Sequence, residues 1–171
     1  MKNMLIRFDS VDKLPTMKKI LVGIVSLAAF ITACSAEYEN ISAEPGFVLA
    51  GGYSFGECIK VCKVAVEIKG SNISYTSYSN GGNSTTKQCS GNVPANVLTN
   101  ATQTFDFEAF KTLPSIIGCP DCTDGGAEWV EVKKGKQSHK VTFEYNKPPK
   151  ELVELSKMFH TQFTVFQNCS K

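Results

Sequence analysis

Seven of the 171 residues are cysteines, and six of these follow residue 57: Cys58, Cys62, Cys89, Cys119, Cys122 and Cys169. Cys58-x3-Cys62 and Cys119-x2-Cys122 are close pairs, whereas Cys89 and Cys169 stand alone. Three chemistries fit the spacing. Four thiolates from the close pairs would suit a tetrahedral zinc site. Cys119-Pro120-Asp121-Cys122 has the spacing of a redox dithiol, but a reactive thiolate is normally stabilised by a helix N-terminus, and this motif runs into a turn-forming Thr123-Asp124-Gly125-Gly126. Structural disulfides are the third, with 15 connectivities open to six cysteines. The compartment decides among them, because oxidising surroundings favour disulfides and the cytosol favours zinc.

The N-terminal region bears on that choice. Met17-Lys18-Lys19 opens a charged segment, and Ile20 to Ile31 is apolar apart from Gly23 and Ser26. The stretch suits the core of a signal peptide and falls short of the ~18 apolar residues that cross a bilayer. It ends in Ile31-Thr32-Ala33-Cys34, which resembles the lipobox of bacterial lipoproteins. That resemblance implies that Cys34 carries lipid, and several acyl chains on one cysteine hold a protein firmly where one holds it marginally. Ser35, not aspartate, at the next position points toward the outer membrane. Asp9 and Asp12 are foreign to such a leader, so Met17 is the expected start. The expected layout is therefore a leader over residues 1–33, a lipidated Cys34 with a flexible stalk over 34–46, and one cysteine-rich domain over 47–171. Without residues 1–33, Lys+Arg falls from 18 to 13 and Asp+Glu from 16 to 14, so net +2 becomes net −1. The basicity belongs to the leader and gives no reason to expect nucleic acid as a partner. With Arg7 gone the remainder has no arginine, which removes the bidentate clamp for phosphate and carboxylate. The six remaining cysteines then read as disulfides. The economical arrangement gathers the close pairs, Cys58, Cys62, Cys119 and Cys122, in one cluster and joins Cys89 to Cys169.

Other constellations carry less. Gly52-Tyr53-Ser54-Phe55-Gly56 spells the G-x-S-x-G of a nucleophile elbow, but that elbow needs a strand before it, a helix after it, and a larger sheet than this chain can build. Asp121, Asp124 and Glu128 beside Gly125-Gly126 do not follow the calcium-loop spacing and read as a solvated acidic turn. His139 and His160, the two histidines, have no Cys-His or Asp-His spacing and read as surface or rim residues. Trp129, Tyr75, Tyr78 and Tyr145 read as strand aromatics, with an aromatic binding face as the sharper alternative. Lys133, Lys134, Lys136 and Lys140 cluster near one hairpin tip, a solvated turn with a weak leaning to anionic headgroups or glycans.

The elements that must position these groups follow from periodicity. Val64, Val66 and Ile68 alternate with polar neighbours, Gly70-Ser71-Asn72 is a turn, and Ile73 to Ser79 returns, with a further short strand over Thr85 to Cys89. Pro94 to Ala101 reads as a helix, and Asp106 caps a second, with Phe107, Phe110 and Leu113 spaced by three and Pro114 ending it. Glu128 to Lys133 and Lys140 to Tyr145 alternate about a turn at Gly135. Pro148-Pro149 open a last helix whose inward stripe is Leu152, Leu155, Phe159 and Phe163. Hairpin, helices, hairpin, helix predicts an α+β domain: an antiparallel sheet of two hairpins with helices packed on one face.

Two stretches then stand out. Ser54-Phe55-Gly56-Glu57-Cys58 with Cys62, and Ile117-Gly118-Cys119-Pro120-Asp121-Cys122-Thr123-Asp124-Gly125-Gly126-Ala127-Glu128-Trp129, resemble a group of small uncharacterised bacterial lipoproteins with a domain of unknown function. The likeness covers about residues 47–163 and leaves Cys89 and Cys169 outside its pattern. It implies a family but no catalytic residues and no cofactor. The functional expectation is a lipid-anchored envelope module, binding or structural, braced by disulfides, whose partners are the membrane and an unidentified envelope ligand or protein. The alternative is a periplasmic thiol-redox or zinc protein working through the close cysteine pairs.

Overall fold

The computed structural model describes residues 46–79 and 84–169. These lie in the second of two compact units, Tyr38–Lys171. The leader, Cys34 and most of the stalk fall outside the described residues. Seven strands form one sheet: β1 Phe47–Ser54, β2 Lys63–Lys69, β3 Asn72–Ser79, β4 Ser84–Asn92, β5 Ile116–Ile117, β6 Ala127–Lys134 and β7 Gln137–Glu144. Their spatial order is β4-β3-β2-β1-β6-β7-β5. Three α-helices accompany them: α1 Ala95–Thr102, α2 Phe107–Lys111 and α3 Val153–Phe166, the last preceded by a 3-10 turn at Lys150–Leu152.

This corrects the expected fold. The two hairpins are not separate units with helices packed on one face. They are parts of a single mixed sheet with few helices, because β1 lies between them and pairs antiparallel with both β2 and β6. The sheet is not purely antiparallel either, since β5 runs parallel to β7. Strand β1 escaped the periodicity because it is buried from both sides. Gly51 and Gly52 point to opposite faces, as successive strand residues do. A Cβ on Gly51 would lie 2.5 Å from the Phe159 ring, and one on Gly52 would lie 2.8 Å from the Trp129 ring. The two glycines therefore serve close approach, with α3 seated on one face of the strand and an indole on the other.

The core face follows from register. Leu49, Val66, Ile68, Ile73, Val130, Val132, Val141 and Phe143 are at most 2% exposed. Phe159, Phe163 and Phe166 of α3 pack into the same core. Burying each such phenylalanine contributes roughly 2–3 kcal/mol by transfer from water. Helix α2 starts as expected, with the Asp106 carboxylate accepting from Glu108 N–H and Ala109 N–H, and α1 begins just after Pro94.

Candidate functional site

Strand β1 gives the domain a direction. Its first residue, Phe47, sits opposite Lys134, which pairs with Gln137 across the Gly135 turn. Its last residue, Ser54, sits between Lys63 and Ala127, and Ala127 pairs with Glu144. Eight residues at about 3.3 Å each separate the two ends by roughly 25 Å. The lysines at positions 133, 134 and 136 belong to the Phe47 end. Lys140 leaves that group: its ammonium lies 4.3 Å from the Trp129 ring centre, and burial lowers its pKa.

The far end gathers the two short cysteine loops. Cys58 and Cys62 are joined in the β1–β2 connection, and Cys119 and Cys122 in the turn between β5 and β6. Cys89, on β4, is joined to Cys169 just beyond α3. Each close pair bonds within itself. The two loops are brought together by other atoms: Gly56 N–H donates to Asp121 Oδ1 at 3.3 Å, and the Phe55 ring covers Gly126. Thus the two stretches that carried the resemblance meet in space, though 65 residues apart at that hydrogen bond. Among the described residues, no group of three or more His, Cys, Asp or Glu is placed to hold a metal ion.

The Cys119–Cys122 turn is irregular backbone held at several points. Asp121, Thr123 and Asp124 adopt positive φ, as do Gly118 and Gly126. Glu144 accepts from Cys119 N–H and pairs with Lys147. The Lys147 hydrogen bond and the Cys119 N–H together hold the Glu144 carboxyl below the usual range. Both sulfurs are on exposed residues beside a cavity of about 230 Å³ that Glu144, Tyr145 and Lys147 help to line. Cys122 opens only a single 3-10 turn, Cys122–Asp124, with no α-helix following it, and the carboxylates around the turn oppose a thiolate.

Glu128 is not part of an acidic turn. It is 1% exposed and points inward, in phase with Val130 and Val132. Ser156 Oγ donates to its Oε1 at 2.5 Å, while His160 Nε2 and Asn146 N–H reach its Oε2 at 3.0 and 3.2 Å. A nucleophilic serine needs the imidazole next to its hydroxyl. Here the carboxylate stands between serine and histidine, so the arrangement fastens α3 to β6 and to the turn after β7. His160 is therefore a rim residue with a specific partner that spacing along the chain did not reveal. His139 hydrogen-bonds the Leu113 carbonyl. Ser54 ends a paired strand and is not on a strand-to-helix elbow.

The strand aromatics separate. Trp129 and Tyr78 share the face opposite the core, with Lys140 and Lys63 over their rings. Tyr75 stacks on Phe166 in the core. Tyr145 packs edge-on with Tyr53 and Phe55. Burial raises the phenol of Tyr53 to about 12, with smaller contributions from Tyr75 and Tyr145. A second cavity, of about 310 Å³, opens at the same end of the sheet, between β1, β3, β4 and the tail that follows α3. Sequence reasoning missed it. The readable signal was Ser77, a polar residue continuing the inward series Ile73, Tyr75.

No protein-family model matches the chain, and no curated protein matches it. Among the described residues no helix is long and apolar enough to cross a membrane.

Proposed function

We propose that this protein is a lipid-anchored module of the bacterial cell envelope that binds a ligand or partner at the end of its sheet that carries the two short cysteine loops. Its chemistry of attachment is the thioether and acyl lipid that Ile31-Thr32-Ala33-Cys34 would direct onto Cys34, with Ser35 favouring the outer membrane. On this reading it belongs with the uncharacterised lipoproteins whose cysteine motifs it resembles. The observation that carries the proposal is the gathering at the Ser54 end of β1 of both cysteine loops, with one cavity beside Cys119 and Cys122 and another between β1, β3 and β4 at the same end. Three disulfides suit an oxidising compartment, where reduced thiols are rare. The anchor is tested by metabolic labelling with palmitate. The wild-type protein should incorporate label and sediment with membranes, and Cys34→Ala should do neither. A wild-type protein that takes no label and stays soluble would end this reading.

One observation favours a second reading, a thiol-disulfide function, because Cys119 and Cys122 are exposed beside a cavity. In that case a substrate dithiol would reduce the bond, its own sulfurs becoming the new disulfide. The surrounding carboxylates weigh against it, since they repel the incoming thiolate as well as the leaving one. Redox titration of the purified protein separates the two: a structural bond should titrate below about −300 mV.

A further inference from the structure

The cavity beneath the C-terminal tail is built differently from the rest of the core face. Along β3 the inward series is Ile73, Tyr75, Ser77, and the last two are 3% and 2% exposed. A packed core would continue the apolar series; this one turns to hydroxyls. Tyr75 and Ser77 share the inward face of β3, and Ser77 Oγ lies 2.9 Å from Thr86 Oγ1, so three hydroxyl-bearing side chains run from the core to the edge strand β4. Tyr53 adds a fourth from β1. Burial keeps the phenols of Tyr53 and Tyr75 protonated well past neutral pH, so they stay available as donors.

Among the described residues one charge and no carboxylate line this space; the charge is the ammonium of Lys87, which sits opposite Ser77 in the sheet. It donates to the Gln167 carbonyl at 2.7 Å. An ammonium has three donors, so two remain. The other cavity differs on this point, because its Lys147 is already paired with Glu144. The far wall is the tail at Gln167 and Asn168, held by the bond from Cys169 to Cys89 and by Cys169 N–H to the Phe166 carbonyl. The longest-range disulfide thus fixes one wall of this cavity, whose apolar lining comes from the Tyr53 and Tyr75 rings and Val61.

A volume of about 310 Å³ equals that of roughly ten waters at ~30 Å³ each, the scale of a monosaccharide. A row of hydroxyl donors and acceptors with a single unbalanced cation matches a molecule that carries several hydroxyls and one carboxylate. We infer that this chamber is the binding site of a small hydroxylated carboxylate of the size of a hexuronic acid, with Lys87 on the carboxylate and the Tyr75–Ser77–Thr86 hydroxyls on the hydroxyls. The inference deepens the binding part of the proposed function and does not depend on the lipid anchor, so labelling at Cys34 and ligand binding can fail separately.

The test is calorimetric titration of the full-length protein in detergent with glucuronate and galacturonate, and with glucose as the uncharged analogue. For a ligand of this size the dissociation constant should be on the order of 1 mM or tighter. Lys87→Met should weaken uronate binding about tenfold or more while leaving the circular dichroism spectrum and melting temperature unchanged, and Ser77→Ala should weaken it by a smaller factor. Lys136→Met, at the other end of the sheet, should not change it. Should Ser77→Ala misfold, Thr86→Val at the exposed end of the same row replaces it. Absence of saturable uronate binding overturns the inference, as does binding that Lys87→Met leaves intact or that glucose equals.

Discussion

Glu128 and His160 lie 32 residues apart and meet at 3.0 Å, with the carboxylate 1% exposed. The contact explains why a charge can sit on the core face of β6. Both its oxygens are engaged, by Ser156, Asn146 and His160 from two other segments, and no buried side-chain nitrogen or oxygen among the described residues lacks a partner. Glu128→Ala leaves the Ser156 hydroxyl and the Asn146 N–H facing a void. It should cost about 3 kcal/mol, the scale for breaking a buried polar network from one side. Ser156→Ala removes one hydrogen bond and should cost about 1 kcal/mol. Urea denaturation of the two variants measures both; equal losses would show that Glu128 is not the hub.

How much of this was legible in the sequence depends on what surrounds each element. Strands β2, β6 and β7 have one wet face, so Val64, Val66 and Ile68, or Val130 and Val132, alternate with charges and could be read. The stripe Leu152, Leu155, Phe159 and Phe163 could be read for the same reason, and all four are buried. Strand β1 has no wet face, and its Gly51-Gly52 looks like a turn until Phe159 and Trp129 are known to lie against it. Strand β5 is two residues long and draws its existence from β7. The cysteines could be expected as disulfides and the two close pairs as neighbours, but the atoms that join the loops could not be read: they belong to Gly56 and Asp121, and neither residue announces a partner. Glu128 was half legible, since it keeps the inward phase of Val130 and Val132. Its partners were invisible because they come from a helix and a turn.

Gly126 and Gly70 provide a contrast between backbone and packing. Both adopt positive φ, +80° and +58°. At Gly70 a Cβ meets nothing within 4 Å, so Gly70→Ala should cost only the left-handed conformation, about 1 kcal/mol. At Gly126 a Cβ would fall 2.4 Å from the Phe55 ring. Displacing that ring also loosens its contacts with Tyr53 and Tyr145. Gly126→Ala should therefore cost roughly 3 kcal/mol, left-handed strain plus overpacking. Denaturation midpoints of the two variants check the order. If they match, Phe55 moves freely and the junction between the cysteine loops is loose.

The disulfides should contribute unequally. Cys89 and Cys169 are separated by 80 residues and Cys119 and Cys122 by 3. By loop-closure entropy the long bridge is worth about 4.5 kcal/mol and the short one about 2 kcal/mol. Paired replacement by serine, Cys89 with Cys169 against Cys119 with Cys122, should lower the urea midpoint more for the long bridge. Fluorescence and circular dichroism of the first variant should still show the folded sheet, since its strands pair without the tail. A larger loss from the short pair would mean that its bond holds the left-handed turn at Asp121, Thr123 and Asp124 in place, and through Asp121 the neighbouring loop as well.

Alkali should unfold the protein through its tyrosines. Burial raises the phenols of Tyr53, Tyr75 and Tyr145, the first of them to about 12. In the unfolded chain these groups lose their protons near 10, the ordinary tyrosine value. Above that pH the unfolded state binds fewer protons than the folded one, so stability falls as pH rises. The contribution is fully present below pH 10 and is lost between about 10 and 12. Lys140 acts in the opposite sense, because burial lowers its pKa and its neutral form suits the fold. One partly exposed lysine against three phenols leaves the net slope negative. Urea midpoints from neutral pH to 12, read beside phenolate absorbance, should stay level and then drop as the absorbance rises. In protein made without the lipid, Cys34 is replaced by serine for this measurement, so that no free thiolate reshuffles the three bonds. In Tyr53→Phe the drop should be shallower, since one of the retained protons is gone. A drop of unchanged steepness in that variant would place the alkaline transition in Tyr75 and Tyr145 alone.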